Sequence, residues 1–209
     1  AIEPGPLRAA LALAVAYTFN MVSIDGDTST NDMVIILASG KAGNKPITVA
    51  EGEDFEAFRA ALLWLCTNMA KAIAADGEGA TKLLECNVRN YHDEAGAKKL
   101  AKSVIKSSLV KTAMFGADAN WGRLMCALGY AGVPFDPGSV DLKFKSKVGE
   151  ISVCRDGHEI PVDEEKAKEI LSCDYIFIDI DCKCGIANAT AWGCDLSYEY
   201  VRINGDYRS

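Results

Sequence analysis

The hydrophobic residues of this chain change their period several times, and this change most restricts the folds that the chain can adopt. Between Phe55 and Ile73, apolar residues recur every three or four positions, which is the spacing of one face of a long helix. From Leu84 to Val88 they alternate with polar residues, as in a strand with one buried face. Helices and strands mixed in this way predict a domain of the α/β or α+β class.

Other segments add elements of both kinds. Helical spacing follows Pro6 and returns between residues 93 and 108, and Asp163 is suited to cap a short helix. A continuous apolar run of strand length predicts a buried strand at residues 33–38, and a β-branched run predicts another at 175–180. We also expect a short strand at 109–114. No repeat or flexible linker separates these patterns, so we expect packed units, with a second unit beginning near Leu109.

Charge and length exclude several classes of partner. The 209 residues carry a net charge of −7, which repels nucleic acid and anionic membrane surfaces. The longest apolar stretch, residues 7–19, is too short to span a bilayer. The eight cysteines lie mostly within apolar patterns, which favours reduced side chains in a cytoplasmic protein.

Two polar patterns resemble metal sites only superficially. Oxygen-bearing residues alternate from Asp25 to Asn31, but Thr30 and Ile36 stand where an EF-hand loop needs glycine and glutamate. Cys182, Cys184 and Cys194 lack the paired spacing of zinc ligands. A structural loop and core packing are the better interpretations, and we predict no metal site.

Two further segments leave two interpretations open. Residues 76–82 combine glycines with Glu78 and Lys82, so they form either a ligand-binding loop or a tight turn after a helix. Residues 116–123 place Arg123 one turn into a capped helix, where it binds either a carboxylate or an internal partner. The two histidines occur in turn-like contexts, so no nucleophile and base can be paired from the sequence.

Several of these stretches together resemble the ornithine acetyltransferase family, also called the bifunctional glutamate N-acetyltransferases. The resemblance extends over nearly the whole chain. It rests on IDGDTSTND at 24–32, DGEGATK at 76–82, KTA and FGADANWGR between 111 and 123, and the tail from Ala189 to Ser209.

The resemblance implies an enzyme whose precursor cleaves itself into two chains, of which this is the second (beta) chain. The new N-terminal Thr of that chain is the nucleophile, with its own α-amino group as base. Acetyl passes from N-acetylornithine to glutamate through an acetyl-Thr intermediate, in a ping-pong reaction of arginine biosynthesis. In the family this Thr lies just upstream of the region matching Ala1, so we assign no catalytic residue within the chain.

The resemblance also implies roles for residues of this chain. Glu78, Asn204 and Ser209 match substrate-binding positions, although the family commonly ends in Thr where this chain has Ser209. It implies a layered αββα sandwich: residues 1–108 in the main sandwich, 109–186 in a smaller α/β unit, and 187–209 returning to the active site.

The same family suggests the partners. We expect the N-terminal (alpha) chain of the same precursor in a heterotetramer of two alpha and two beta chains, and no resident cofactor, with acetyl-CoA as a second candidate donor. Two alternatives stay open, namely a related self-cleaving aminopeptidase and a non-catalytic subunit.

Overall fold

The computed structural model describes residues 1–207, and these divide into two compact units. The first unit contains residues 1–21 and 28–70, and the second contains residues 22–27 and those from 71 onward. Helices and strands occur in mixed order along the chain, which confirms the predicted mixed α/β class. No helix within residues 1–207 is both long and apolar enough to cross a membrane.

Seven α-helices, one short 3-10 helix at Phe19–Met21 and seven strands account for the regular structure of the described residues. The helices are α1 Pro4–Tyr17, α2 Glu53–Ala75, α3 Glu94–Lys106, α4 Ser108–Phe115, α5 Trp121–Gly129, α6 Glu164–Leu171 and α7 Tyr198–Asp206. The strands are β1 Val22–Ser23, β2 Leu83–Tyr91, β3 Asp141–Ser146, β4 Gly149–Arg155, β5 His158–Glu159, β6 Tyr175–Asp181 and β7 Ala187–Cys194.

The first unit has a small core formed by α1 and the greater part of α2. Ala10 and Ala14 of α1 are buried with Phe55, Leu62 and Cys66 of α2. Small residues on one helix allow the larger side chains of the other to pack closely. The long helix predicted from the apolar spacing is thus confirmed as α2.

The strand predicted at residues 33–38 is wrong for this chain. These residues have no regular secondary structure, and most of their apolar side chains are exposed. A strand needs a neighbour to accept and donate its backbone hydrogen bonds, and no described segment pairs with this one. The apolar pattern indicates a capacity for pairing, but it does not supply the second strand.

The second unit is built on a mixed seven-stranded sheet with the order β1-β7-β2-β6-β3-β4-β5. Strand β2 runs parallel to β6 and antiparallel to β7. Helix α3 packs on β2 and β7 and buries Leu100 and Val104. The strands predicted from alternation and from the apolar run at 175–180 are confirmed as β2 and β6.

The strand predicted at residues 109–114 is also wrong, because this segment forms helix α4. The side chain of Ser107 accepts a hydrogen bond from the backbone N–H of Val110 at 3.3 Å and so caps the helix. A segment this short fits either element, and here the cap selects the helix. By contrast, the predicted Asp163 cap is confirmed, with bonds of 3.0 and 3.1 Å from the N–H groups of Glu165 and Lys166.

One sheet takes strands from all three segments proposed from the sequence. Strand β2 lies within residues 1–108, strands β3 to β6 lie within 109–186, and β7 lies in 187–209. The boundaries at 108 and 186 therefore stay a prediction about the whole protein rather than a division visible in this sheet.

Candidate functional site

The glycine-containing loop at residues 76–82 connects α2 to β2 and is held by a buried carboxylate. Asp195, only 2% exposed, lies just after β7. Its Oδ1 accepts hydrogen bonds from the backbone N–H groups of Thr81 at 2.8 Å and Lys82 at 2.9 Å, and its Oδ2 accepts from the Thr81 hydroxyl at 2.5 Å. Asp195 thus fixes the end of the loop to the sheet.

Lys82 points into the protein, away from the loop. Its Nζ donates to the carbonyl oxygens of Met114 at 2.5 Å and Leu171 at 2.7 Å. These carbonyls belong to the last turns of α4 and α6, where a cation is favoured by the helix dipole. Burial lowers the pKa of Lys82, and the nearby charge of Asp195 opposes that shift. Lys82 is therefore a structural cation, and it does not join Glu78 in a ligand-binding pair.

Gly79 allows α7 to lie directly against the loop. Its φ of +67° is in the left-handed region, and an added Cβ would lie 2.6 Å from the backbone nitrogen of Tyr200. The hydroxyl of Ser197, the N-cap of α7, donates to the carbonyl oxygen of Gly79 at 2.5 Å. Only glycine permits this close approach, which brings the C-terminal helix to the loop.

The close approach brings Glu78 and Asn204 into contact. Nδ2 of Asn204 donates to Oε2 of Glu78 at 2.6 Å and to the carbonyl oxygen of Tyr200 at 3.0 Å. Both side chains are exposed to solvent. Two of the three residues singled out from the sequence therefore meet, although they are far apart in the chain, and Ser209 lies outside the described residues.

A second polar contact flanks this pair and adds negative charge. The hydroxyl of Tyr200 donates to Oδ2 of Asp25 at 3.1 Å, and Asp25 Oδ1 accepts from the N–H of Asp27 at 2.9 Å. Burial raises the pKa of Tyr200, as do the hydrogen bond to Asp25 and the charges of Asp25, Glu78 and Asp27. The site thus concentrates carboxylates, and such a field attracts a cationic group.

Lys111 is a buried cation that the sequence analysis did not single out as a site residue. Only 2% exposed, it donates through Nζ to the carbonyl oxygen of Cys194, one residue before Asp195, and lies 3.5 Å from the Cys194 sulfur. Burial lowers its pKa, while the neighbouring Cys194 and Asp195 raise it. A lysine inside an apolar run was the available signal, but its partner is distant in sequence.

Arg123 contacts other residues of the chain, as the second of its two predicted roles, binding an internal partner, requires. Its Nη1 donates to the carbonyl oxygen of Leu109 at 2.8 Å and to the hydroxyl of Thr112 at 3.2 Å. Asn120 caps α5 by accepting from the backbone N–H of Arg123 at 3.1 Å. The guanidinium joins α5 to α4, and it is not held open for a ligand carboxylate.

A polar concavity lies across the sheet from β2 to β4. A cavity of about 280 Å³ is lined by Arg89, Asp179 and other charged residues. Arg89 and Asp179 form an ion pair at 2.9 Å, so the lining largely neutralises itself. Within residues 1–207, no group of three or more His, Cys, Asp or Glu side chains is placed to hold a metal ion. The loop, α7 and Asp25 form the better candidate site.

The family to which the chain belongs is decided by a match over its full length. A family model described as the ArgJ family matches residues 1–209. The chain belongs to the ArgJ family. This membership accords with the resemblance that the four sequence stretches carry.

Individual ArgJ proteins give the same result. The chain is 49% identical over 203 residues to the arginine biosynthesis bifunctional protein ArgJ 1 of Clostridium acetobutylicum, covering 97% of this chain and 50% of that protein. It is 50% identical over 208 residues to ArgJ of Caldanaerobacter subterraneus subsp. tengcongensis, covering 100% of this chain and 51% of the relative. The chain thus spans about half the length of these ArgJ relatives.

A crystal structure of an ArgJ protein from Bacillus halodurans is similar to this fold. It superposes with a TM-score of 0.93 at 42% identity, covering 99% of this chain and 95% of the solved chain. The solved chain is therefore close to this chain in length, whereas the curated ArgJ relatives are about twice as long.

Proposed function

We propose that this chain is the second chain of a glutamate N-acetyltransferase that moves acetyl from N-acetylornithine to glutamate in arginine biosynthesis. The observation that carries the proposal is the 2.6 Å contact between Asn204 and Glu78 in an ArgJ chain. It joins two positions that the family resemblance assigns to substrate binding. The names of the relatives, which include arginine biosynthesis, support the same pathway.

Glu78 is suited to bind an amino group of the substrate. Its Oε2 accepts from Asn204, while no described residue donates to Oε1. A carboxylate oxygen left open in this way pairs with an ammonium group, and a charge-assisted hydrogen bond contributes about 1.5–3 kcal/mol. Asn204 fixes the orientation of the carboxylate, and the carboxylates of Asp25 and Asp27 strengthen the negative field around it.

The chemical step requires a nucleophile that we assign to a Thr just upstream of Ala1, at the N-terminus formed by self-cleavage. Its hydroxyl oxygen bonds to the acetyl carbonyl carbon while its α-amino group accepts the hydroxyl proton. The C–N bond of N-acetylornithine then breaks, and ornithine leaves with that proton. The amino group of glutamate attacks the acetyl-Thr ester next, which gives N-acetylglutamate and restores the Thr hydroxyl.

The rest of the enzyme is the N-terminal (alpha) chain of the same precursor, in a cytoplasmic assembly with two copies of each chain. Support for two chains comes from lengths: this chain covers 95% of a solved ArgJ chain but only about half of the curated relatives. Donors that stabilise the tetrahedral oxyanion belong to the alpha chain in this proposal. The word bifunctional in the relatives' names makes acetyl-CoA the second donor to be assayed.

The test is acetyl transfer by the two-chain enzyme, with N-acetylornithine as donor and glutamate present or absent. We expect N-acetylglutamate only with glutamate, and ornithine release without glutamate at an equal rate would indicate an aminopeptidase instead. Glu78→Gln should raise KM for N-acetylornithine about 10- to 100-fold, the loss of one charge-assisted bond. Glu150→Gln removes an exposed carboxylate on β4 and serves as the control. Equal changes in KM for both variants contradict the proposed role of Glu78. An unchanged KM with Glu78→Gln favours a non-catalytic chain.

A further inference from the structure

The segment 33–37 of the first unit carries apolar side chains on two faces. Ile36 packs against the core of α1 and α2, and Val34 is 39% exposed. Met33, Ile35 and Leu37 are 76%, 69% and 90% exposed. Alternation with a period of two is the geometry of a strand, and apolar residues on both faces are typical of a strand buried on both sides. We call Met33, Ile35 and Leu37 the outer strip.

The backbone of this segment is as open as the strip. Within residues 1–207, no residue makes a backbone hydrogen bond to residues 33–38. Unpaired N–H and C=O groups along an apolar segment form a template for another strand. The segment thus offers both parts of a β-augmentation site, namely a hydrogen-bonding edge and side-chain contacts.

The same unit exposes further large apolar side chains. Trp64 and Leu65 of α2 are 69% and 49% exposed, and Val49, in the loop before α2, is 53% exposed. Single exposed apolar residues are ordinary, but many in one small unit indicate a surface that another polypeptide covers. The unit contains only residues 1–21 and 28–70, so its apolar surface is large for its size.

We propose that residues 33–38 form a β-strand on binding the half of the ArgJ polypeptide that this chain does not contain, with the outer strip buried in that interface. The length comparison selects this partner, because the chain covers only 50% and 51% of two relatives at about half identity. The missing half is made in the same polypeptide in those relatives, so it meets this surface at high effective concentration. The inference rests on the two-chain arrangement of the proposed function and names the surface that joins the chains.

The test uses the unmatched half of the Caldanaerobacter ArgJ, tagged and co-expressed with this chain. Leu37→Asp places a charge in the strip, and we expect it to reduce co-purification at least about 100-fold, as for a central apolar interface residue. Ile186→Asp is the matched control, since Ile186 is also 90% exposed but lies in the second unit. Hydrogen exchange of the amides of residues 33–38 should be fast in the chain alone and slowed at least about 10-fold in the complex, as for a paired strand.

Each outcome bears on the proposal. The proposal is overturned if the Leu37→Asp variant co-purifies with the missing half as well as the unchanged chain does, or if the unchanged chain does not bind it. Unaltered hydrogen exchange at residues 33–38 in the complex, or burial of the outer strip between two copies of this chain, also overturns it. Acetyl transfer assayed on the same complexes separates the two hypotheses. A complex that depends on Leu37 but transfers no acetyl group contradicts the proposed function alone, whereas full transfer with Leu37→Asp contradicts only this surface.

Discussion

Removing the carboxylate of Asp195 should detach the loop that carries Glu78. Asp195→Ala leaves the N–H groups of Thr81 and Lys82 and the Thr81 hydroxyl without their acceptor, which they contact at 2.5–2.9 Å. A donor left unpaired in buried surroundings costs about 1–3 kcal/mol. Water reaches the exposed Thr81, so we take the low end for each bond and expect a total of about 3 kcal/mol.

Asp195→Asn separates geometry from charge. The amide oxygen can still accept from both backbone N–H groups, and the amide nitrogen can donate to the Thr81 hydroxyl. Only the charge-assisted part of the bonds is lost, together with the charge that faces Lys82. We therefore expect a cost of about 1 kcal/mol.

Urea unfolding followed by circular dichroism measures both variants. For a chain of this size, about 3 kcal/mol corresponds to a fall in Tm of roughly 6–12 °C. The two-chain enzyme carrying Asp195→Ala should also show a raised KM for N-acetylornithine, because the loop no longer holds Glu78 against Asn204. The reasoning is refuted if Asp195→Ala unfolds within about 0.5 kcal/mol of the unchanged chain, or if Asn costs as much as Ala.

Two further substitutions test the packing of α7 and the electrostatics of the sheet. In urea unfolding, Gly79→Ala should lower the free energy of unfolding by at least about 2 kcal/mol more than Gly132→Ala. Both glycines have positive φ, but only at Gly79 would a Cβ lie 2.6 Å from the backbone nitrogen of Tyr200. Equal losses of stability would contradict the close approach of α7. Burial raises the pKa of Glu85, but Lys71 and two other donors outweigh it and hold that pKa below its ordinary value. The stabilising effect of Glu85 is then present above about pH 4.5 and lost as the pH falls through its folded pKa. Glu85→Gln should therefore lower the free energy of unfolding by about 1–2 kcal/mol at pH 7, and this loss should shrink on acidification. A loss of stability that does not depend on pH would contradict this.

The sequence predicted the elements that carry a long or regular pattern. Helix α2 and strands β2 and β6 follow from spacing, because a period of three to four or of two fixes which face is buried. The Asp163 cap was equally readable, since a cap depends on neighbours within four residues. The strands predicted at 33–38 and 109–114 are wrong, because a segment of six residues is too short for its pattern to separate a helix, a paired strand and a surface awaiting a partner.

The candidate site shows the same limit. Glu78 and Asn204 were named through the family resemblance, yet their contact spans 126 residues and no spacing rule connects them. Asp195 and Lys111 were missed, because a buried charge is recognised by the partners that satisfy it, and these lie on separate elements.

By itself, the sequence determined the class of fold, the principal helices and strands, and the family, since these depend on local pattern and on ordered motifs. Only the tertiary structure decided that Lys82 and Arg123 are internal cations and that Gly79 lets α7 approach the loop. It also decided that residues 1–207 leave the outer strip exposed. The physical reason is that hydrogen bonds and burial at these positions depend on residues brought together by the sheet, and local composition carries no information about such distant neighbours.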